Sequence, residues 1–351
     1  MIALDTALSE LLASVRPVAG GRSALVDAIG LVLAADLVSS GDVPRHTTAL
    51  RDGWAVAASA TVGASPYTPA LLPAAPGRVR PGDELPEGTD AVVGPEAVTV
   101  TPALAELVEE AAPGEGARRP GEDVSAGFVL RRAGGRLRAL DAAIAIAAGV
   151  ASCTIRSPRL AIVAHPSADA SCALVAAFAR ELGAVVSVRL AEAISASEIA
   201  AIEADAVAVV GLSEGRTALR EAGRIVADGL ALRPGEDAGC GILRDGTPVV
   251  LVPARLEAAF ATTRCVLAPC LDRLLGAAPP RPRQTAPLTR KISSSVGVAE
   301  VTLLRLGAGG LEPIGVADLT LSALAQADAW LLVGAEREGY AAGEVVEAFA
   351  V

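Results

Sequence analysis

The sequence predicts a multidomain protein of the α/β plus β class, and three observations support this. The chain has 351 residues and is 52% hydrophobic, so it can fill the cores of about two to four domains. Residues 159–278 alternate apolar strand-like runs with helical patterns, which is typical of a parallel α/β sheet. Residues 41–121 and 288–351 are short β-branched pieces broken by Gly and Pro, which predicts β-rich units.

The N-terminal part of the chain is predicted to be helical. Apolar residues recur at helical spacing after Thr6, and a second apolar run extends from Val26 to Leu37, so we expect two short helices. A further helical run, Ala142 to Gly149, follows the pieces FVLRR and RLRAL. The residues that form the first helical pattern are Leu8, Leu11, Leu12 and Val15.

The return of this helical character predicts one domain built from two separate segments. We expect residues 1–45 and 124–158 to form it, with a β-rich domain of residues 46–123 inserted between them. Residues 159–278 are then a parallel α/β domain, with the strands LAIVA, AVVSV, AVAVV and PVVLV. After a proline-rich linker, APPRPRQTAP, residues 284–351 are expected to form a C-terminal β-barrel from VAEVTLLRL, AWLLVG and EVVEAFAV.

The bulk composition excludes several classes of function. A net charge of −10 argues against nucleic-acid binding, which requires a basic face. The longest uncharged apolar stretch, Ala142 to Ile155, is shorter than the roughly 20 residues that cross a bilayer, so no membrane partner is expected. The start, MIALDTALSE, lacks the basic region of a signal peptide, which favours a cytoplasmic location.

The cysteines and histidines are not expected to carry chemistry. Five cysteines at irregular spacing do not form a disulfide framework, and we expect reduced, mostly buried thiols. Cys265 and Cys270 have no histidine near them in the sequence, so no metal site is predicted. His46 and His165 each lie near a proline in a loop, which favours a structural role.

Five segments occur in an order that resembles one known family. They are DVPRHTTALRDGWAV (42–56), PGDELPEGTDAVVGPE (81–96), PGEGARRPGEDVSAGFVLRRAG (113–134), TRKISSSVGVAEVTLLRL (289–306) and LSALAQADAWLLV (321–333). Together they resemble the molybdopterin molybdenumtransferase family (MoeA, gephyrin E-domain) from end to end. The resemblance implies a MoeA-like fold with a helical and β N-terminal domain, an inserted β-rich domain, a MogA-like α/β domain and a C-terminal barrel.

The resemblance also implies an activity and a set of site residues. The family inserts molybdate into adenylylated molybdopterin with release of AMP, assisted by a divalent metal such as Mg²⁺. Asp52 and Asp123 match its catalytic carboxylates. Positions that match its groups for molybdopterin or phosphate are Arg118, Arg119, Ser213, Arg233, Arg290, Lys291 and Ser294.

The loops of the α/β domain depart from the family pattern. Residues 164–169 (AHPSAD) replace an STGDEL-like turn, and residues 211–217 (GLSEGRT) lack one glycine and place Arg216 where the family has an acidic residue. Glu236 replaces a lysine of a KPGKP-like stretch, a charge reversal that would repel a phosphate. Residues 251–257 (LVPARLE) lack the glycine turn of a GLPGNPVS-like segment, and Val298 replaces an arginine.

Two hypotheses follow from these matches and departures. In the first, the protein binds molybdopterin or a partner protein, with weak or no molybdenum insertion. That partner would be another molybdenum-cofactor assembly protein or a molybdoenzyme. In the second, it is an active molybdenumtransferase whose side chains have drifted. Because the four altered loops all follow strands of one sheet, the first is favoured. A homodimer is expected in either case, and a cleft adapted to another nucleotide-like substrate is a third reading without a motif of its own.

Overall fold

A computed structural model describes residues 1–102, 104–278 and 283–351 of the chain. The chain opens with strand β1 (Ile2–Ala3) and helix α1 (Leu4–Leu12), which buries Leu4, Ala7 and Leu11. Three short strands follow: β2 (Gly21–Ala24), β3 (Val32–Leu33) and β4 (Leu37–Val38).

The predicted second helix, Val26 to Leu37, is wrong. Gly30 lies in the middle of this run with a φ of +85°, a left-handed conformation that ends helical turns. The backbone beyond it is extended, since the Leu33 N–H donates to Gly135 O at 3.0 Å and the Leu137 N–H donates to Leu31 O at 3.0 Å. The apolar residues of this run therefore reach the core from turns and strands.

The next stretch of chain is built from short strands. It comprises β5 (Thr48–Ala49), β6 (Gly53–Val56), β7 (Ala70–Leu72), β8 (Gly77–Val79), β9 (Ala91–Val93), β10 (Val98–Val100), β11 (Ala105–Leu107) and β12 (Ala117–Arg118). These strands form the sheets β8–β6–β9, β10–β11–β7 and β12–β5. Their cores consist largely of alanine, valine and leucine, which suits a chain with only 2% aromatic residues.

The chain then returns to its first unit. Strand β13 (Val129–Arg131) pairs with β4, and after helix α2 (Ala139–Ala147) strand β14 (Ser152–Arg156) pairs with β2 and β3. Strands β5 to β12 thus pair among themselves, while the segments on either side of them pair with each other.

Helix α2 begins at an ion cluster around the buried carboxylate of Asp141. Its oxygens lie 2.8 Å from Nε of Arg131 and 2.6 Å from Nη2 of Arg138, and they also accept the Arg138 backbone N–H. Burial would raise the pKa of Asp141, but the hydrogen bonds from Arg138 and Arg131 outweigh it and hold the pKa well below its usual range.

The α/β unit follows. Its elements are β15 (Arg159–Ala164), α3 (Asp169–Glu181), β16 (Val185–Leu190), α4 (Ala196–Ala200), β17 (Ala206–Val210), α5 (Gly215–Ala222), β18 (Gly223–Asp228), β19 (Leu230–Arg233), β20 (Gly239–Leu243), β21 (Pro248–Val252), α6 (Leu256–Thr262) and α7 (Ala268–Leu275), with a π-helical turn (Thr263–Leu267) between the last two. The sheet order is β16–β15–β17–β21–β20–β18. The four predicted strands are parallel neighbours, whereas β20 and β18 extend the sheet antiparallel and were not predicted.

The C-terminal unit is a curled sheet. It contains β22 (Arg283–Pro287), β23 (Ile292–Ser293), β24 (Ala299–Gly307), β25 (Gly310–Val316), α8 (Leu321–Gln326), β26 (Ala329–Val333), β27 (Gly339–Tyr340) and β28 (Val345–Ala350). A bridge between Leu288 and Leu311 brings β25 against the end of β22 and gives the sheet its barrel-like curl. The predicted linker, 278–287, falls partly on residues outside the described ranges, and its last part is strand β22, because Arg283–Pro287 pairs along β28.

One sheet joins three of the four units of the chain, all except the inserted strands. Its order, β1–β19–β24–β26–β28–β22, places β19 between β1 and the C-terminal strand β24. Nearby, Phe178, Phe260, Trp330 and Phe349 form a continuous aromatic run with ring centroids 6.1, 6.2 and 4.9 Å apart. Four of the eight aromatic residues of the chain thus pack where the α/β unit meets the C-terminal sheet.

The five cysteines are all free and buried, as predicted. Within the three described ranges, no helix combines the length and apolar character that crossing a membrane requires.

Replacing Asp141 with Asn is expected to lower the free energy of unfolding by about 2 kcal/mol at pH 7, because two arginines lose a buried charged partner. The folded-state pKa lies below the unfolded value of about 3.9, so this stabilisation is present above about pH 4 and is lost as the pH falls towards the folded-state value. Urea unfolding of wild type and Asp141→Asn at pH 7 and pH 3 should show a smaller difference at pH 3. The exposed carboxylate of Asp27, changed to Asn, is the control, and equal stability of D141N and wild type at pH 7 would contradict the assignment.

Candidate functional site

The first three of the five segments that resemble the MoeA family meet around residues 42–52. Residue Val43 bridges Val124, and the Leu50 N–H donates to Gly116 O at 2.8 Å. On the other side, the Ala49 N–H donates to Asp83 O at 2.9 Å. Segments that lie far apart in the sequence are therefore adjacent in the fold.

The two predicted catalytic carboxylates each pair with an arginine. Asp52 Oδ2 lies 3.1 Å from Nη2 of Arg78, which also stacks over the Trp54 ring at 4.9 Å. Asp123 Oδ2 lies 3.0 Å from Nη1 of Arg118, one of the predicted anion-binding residues. Both carboxylates are about half exposed, at 51% and 40%. The charge of Arg118 is therefore largely neutralised by Asp123 within the same turn.

Arg119 and His46 lie near the same turn. The Arg119 side chain donates to Pro113 O at 3.1 Å, and its backbone N–H donates to the Glu122 carboxylate at 2.8 Å. The Nδ1 atom of His46 lies 3.4 Å from Oε1 of Glu84, and both side chains are more than 60% exposed.

A second group of predicted residues lies at the carboxyl edge of the α/β sheet, where open sheets of this type bind ligands. His165 follows β15, and its ring lies 2.7 Å from Ser167 Oγ and 3.1 Å from Glu192 Oε2. Ser213, after β17, donates its hydroxyl to Glu214 at 2.9 Å. The backbone N–H of Glu214, followed by that hydroxyl, lowers the pKa of the Glu214 carboxyl.

The loops at this edge pack tightly on each other around Gly211. Its φ is +69°, and a Cβ placed on it would lie 2.7 Å from the Cβ of Ala168 and 3.2 Å from the Cβ of Ala254. Ser171, in the first turn of α3, links this helix to the loop of Ala254, because its hydroxyl donates to Ala254 O at 2.7 Å. The space beside this glycine is therefore filled by the protein's own side chains.

Arg216 at this edge, and Arg233 at the end of β19, are engaged by internal carboxylates. The expectation that all four altered loops follow strands of one sheet is wrong for the loop after Arg233, because β19 belongs to the sheet that contains β1 and β24. Arg216 Nε lies 2.7 Å from Asp228 Oδ1, and the guanidinium also donates to the backbone oxygen of Asp237. Arg233 Nε lies 3.2 Å from Glu236 Oε1, and its Nη1 lies 3.5 Å from Glu300, whose side chain is only 4% exposed. The sequence indicated the replacements at Arg216 and Glu236, but it gave no sign of Asp228 and Glu300 as partners.

The third group lies on the C-terminal sheet. Arg290 is held by Glu312 at 3.2 Å and donates to Pro313 O at 2.7 Å. The Ser294 N–H donates to Glu338 O at 2.9 Å, while its buried hydroxyl has no partner among the atoms of the described residues. Lys291 is the only lysine in the sequence, and it is exposed. Within the part of the chain that the structure describes, its ammonium makes no ion pair.

The three groups do not form one site through direct contacts. Among the described residues, no hydrogen bond or ion pair links the Asp52 and Asp123 group to Ser213 or to Lys291. The carboxylates also do not fit a divalent metal, because an arginine occupies each of them and no cluster of three acidic, histidine or cysteine residues occurs in the described ranges. Metal-assisted chemistry therefore has no support from this arrangement.

Comparisons with known proteins agree with this architecture. A sequence model described as the MoeA N-terminal region (domain I and II) matches residues 2–149, which include Asp52, Asp123 and the arginine pair. A molybdopterin molybdenumtransferase 2 of Mycobacterium tuberculosis is 26% identical over 344 residues, covering 83% of each chain. These matches support membership of the MoeA family.

Further MoeA relatives extend over nearly the whole chain. A putative molybdopterin biosynthesis protein of Methanocaldococcus jannaschii is 23% identical over 372 residues and covers 93% of this chain and 90% of its own. The crystal structure of a molybdopterin biosynthesis MoeA protein from Pyrococcus horikoshii OT3 superposes with a TM-score of 0.82 at 23% identity, covering 100% of both chains. The MoeA-like multidomain fold predicted from the segment order is confirmed.

Replacing Gly211 with Ala is expected to destabilise the protein more than the same change at Gly246. Both glycines have a positive φ, +69° and +95°, so each alanine costs about 1 kcal/mol of backbone strain. Only at Gly211 does the added Cβ meet another atom within 3 Å, which adds about 1–3 kcal/mol. Thermal unfolding measures both variants, and identical melting temperatures would show that the loops at this edge are not tightly packed.

Proposed function

We propose that this MoeA-family protein takes part in molybdenum cofactor assembly by binding molybdopterin or a protein of that pathway, with weak or no molybdenum insertion. The relatives, a molybdopterin molybdenumtransferase and a putative molybdopterin biosynthesis protein, support the pathway. The family region that matches includes Asp52 and Asp123, and the C-terminal sheet retains Lys291. These positions support ligand binding more than they support turnover.

The proposal rests mainly on the ion pairs at and beside the carboxyl edge of the α/β sheet. Breaking a phosphoanhydride requires free cations or backbone donors around the phosphates. At this edge Arg216 pairs with Asp228, and at the end of β19, in the adjoining sheet, Arg233 pairs with Glu236 and Glu300. Glu192 and Glu214 add negative charge beside His165. An adenylate would therefore meet neutralised arginines and uncompensated carboxylates.

Release of AMP distinguishes the proposal from the active-enzyme alternative. Purified full-length protein mixed with adenylylated molybdopterin, molybdate and Mg²⁺ is expected to release no AMP above background, because the edge lacks free cations for the adenylate phosphate. Chromatographic quantification of AMP measures this. Stoichiometric or catalytic release would overturn weak or absent insertion and favour an active molybdenumtransferase, whereas pterin fluorescence titration tests molybdopterin binding separately.

A charge reversal at Glu236 tests whether its pairing with Arg233 limits AMP binding. Glu236→Lys frees Arg233 from one carboxylate and adds a cation, so affinity for AMP should rise about three- to tenfold, as expected for partly exposed charges. Glu203→Lys makes the same charge change at an exposed position of the same unit and serves as the control. Equal gains in the two variants would mean that net charge, rather than the Arg233 pair, limits binding.

A homodimer is the second part of the proposal. The unit formed by the segments on either side of the inserted strands has exposed apolar side chains around α2, among them Val26, Ile29, Leu140 and Ile146. Their proximity follows from the core beneath them, where the buried residues of α2 pack with Leu25 and Ala28. An exposed apolar surface of this kind is typical of a protein interface.

Light scattering after gel filtration is expected to give twice the chain mass of 35.1 kDa. Leu140→Glu, at a side chain 63% exposed, should shift the protein towards monomer because it places a charge in the apolar interface. Val62→Glu, at a position 74% exposed in the inserted strands, should leave the mass unchanged. A wild-type monomer at micromolar concentration would contradict the dimer.

A further inference from the structure

Strands β26 and β28 pair at only one end. Their register partners are Ala329 with Ala350 and Trp330 with Phe349. Beyond these two pairs the strands separate, because β26 follows β24 as far as Val333 while β28 follows β22 along its first five residues. The sheet therefore contains a wedge-shaped opening between two neighbouring strands, which we call the strand gap.

The strand gap is a groove of about 520 Å³. A residue in a sheet occupies roughly 160 Å³, taking a rise of about 3.4 Å, a strand spacing of about 4.8 Å and a layer about 10 Å thick. The groove thus holds about three residues of extended chain. Its walls are both apolar and charged. The apolar lining residues are Leu331, Leu332, Tyr340, Val345, Val346 and Phe349, and the charged ones are Arg337, Glu344 and Glu347.

The walls of the groove are the backbone edges of strands. Among the described residues, Leu331, Leu332 and Val333 have register partners on β24 and none on β28. A strand edge without a neighbour presents backbone N–H and C=O groups that another strand can pair with. Here two such edges face each other across the groove, so an inserted strand would pair on both sides.

The rim of the groove is acidic. Arg337 lies at one end, over the Tyr340 ring at 4.3 Å and 3.6 Å from Glu344. The charge of Glu336 contributes to raising the pKa of the same guanidinium, and Glu338, the next residue in the sequence, is exposed. Three carboxylates against one arginine give this rim a net negative charge. An inserted segment is therefore favoured when the end that meets this rim is basic.

We infer that the strand gap is a docking slot for an extended segment of a partner protein, with β-branched apolar residues at its centre and a basic residue at the end that meets the acidic rim. The partner would add a strand between β26 and β28. Main-chain hydrogen bonds would provide the general affinity, and the apolar walls and acidic rim would select the sequence. This inference is independent of molybdenum insertion.

The test uses the full-length protein and a fluorescein-labelled peptide, Arg-Val-Thr-Val-Arg, in an anisotropy titration. We expect a dissociation constant below about 1 mM, the weak range of short strand-forming peptides. The analogue Arg-Val-Pro-Val-Arg, which lacks a central N–H, and the acidic analogue Glu-Val-Thr-Val-Glu should each bind at least fivefold more weakly. Hydrogen exchange should slow in segments 331–333 and 345–347 when the first peptide is bound.

Two variants at exposed strand valines provide the matched control. Val345→Arg, at a side chain 62% exposed in the groove, should weaken binding at least tenfold. Val185→Arg, at a side chain 58% exposed on the edge strand β16, should bind like wild type. The inference is overturned if the peptide does not bind at about 1 mM, if both variants bind equally, or if the acidic analogue binds as tightly as the basic one.

Discussion

The pairing of Arg233 with the buried carboxylate of Glu300 constrains much of this molecule. Arg233 ends β19, the strand that connects β1 to the C-terminal sheet, and Glu300 lies opposite it on β24. A carboxylate that is only 4% exposed requires a cation, and removing that cation would cost several kcal/mol. The arginine that joins the units is therefore not free to bind a phosphate.

The same reasoning extends to the rest of the α/β edge. Gly211 is enclosed by Ala168 and Ala254, and Arg216 is held by Asp228. Each of these contacts stabilises the fold where a relative with intact loops would be expected to hold a ligand. The C-terminal sheet differs at Lys291, whose exposed ammonium makes no ion pair among the described residues.

The sequence predicted elements well where the signal was local. The four apolar runs became neighbouring parallel strands. Three of them, β15, β17 and β21, are buried inside the sheet, as continuous apolar runs predict, whereas β16 is an exposed edge strand. The Val26 to Leu37 helix failed because one glycine with positive φ outweighed a helical pattern of apolar residues. Strands β18 to β20 were missed since their mixed residues have no clear period.

For the site, the sequence predicted which positions matter but not what each side chain does. The order of the motifs identified Asp52, Asp123 and the replaced loops as candidate site positions. Their partners come from elsewhere in the chain: Arg78 lies 26 residues from Asp52, and Glu300 lies on a different unit from Arg233. Pairings between distant residues depend on tertiary packing, which no spacing rule encodes.

The aromatic run has a practical consequence for how this protein is observed. The sequence contains only two tryptophans, and the fold places them in different environments. Trp330 is 5% exposed within the aromatic run, whereas Trp54 lies in the inserted strands beneath Arg78. Indole emission shifts to longer wavelength as water gains access, so the two signals separate without any label. A single denaturation series therefore reports on the inserted strands and on the junction of the α/β and C-terminal units independently.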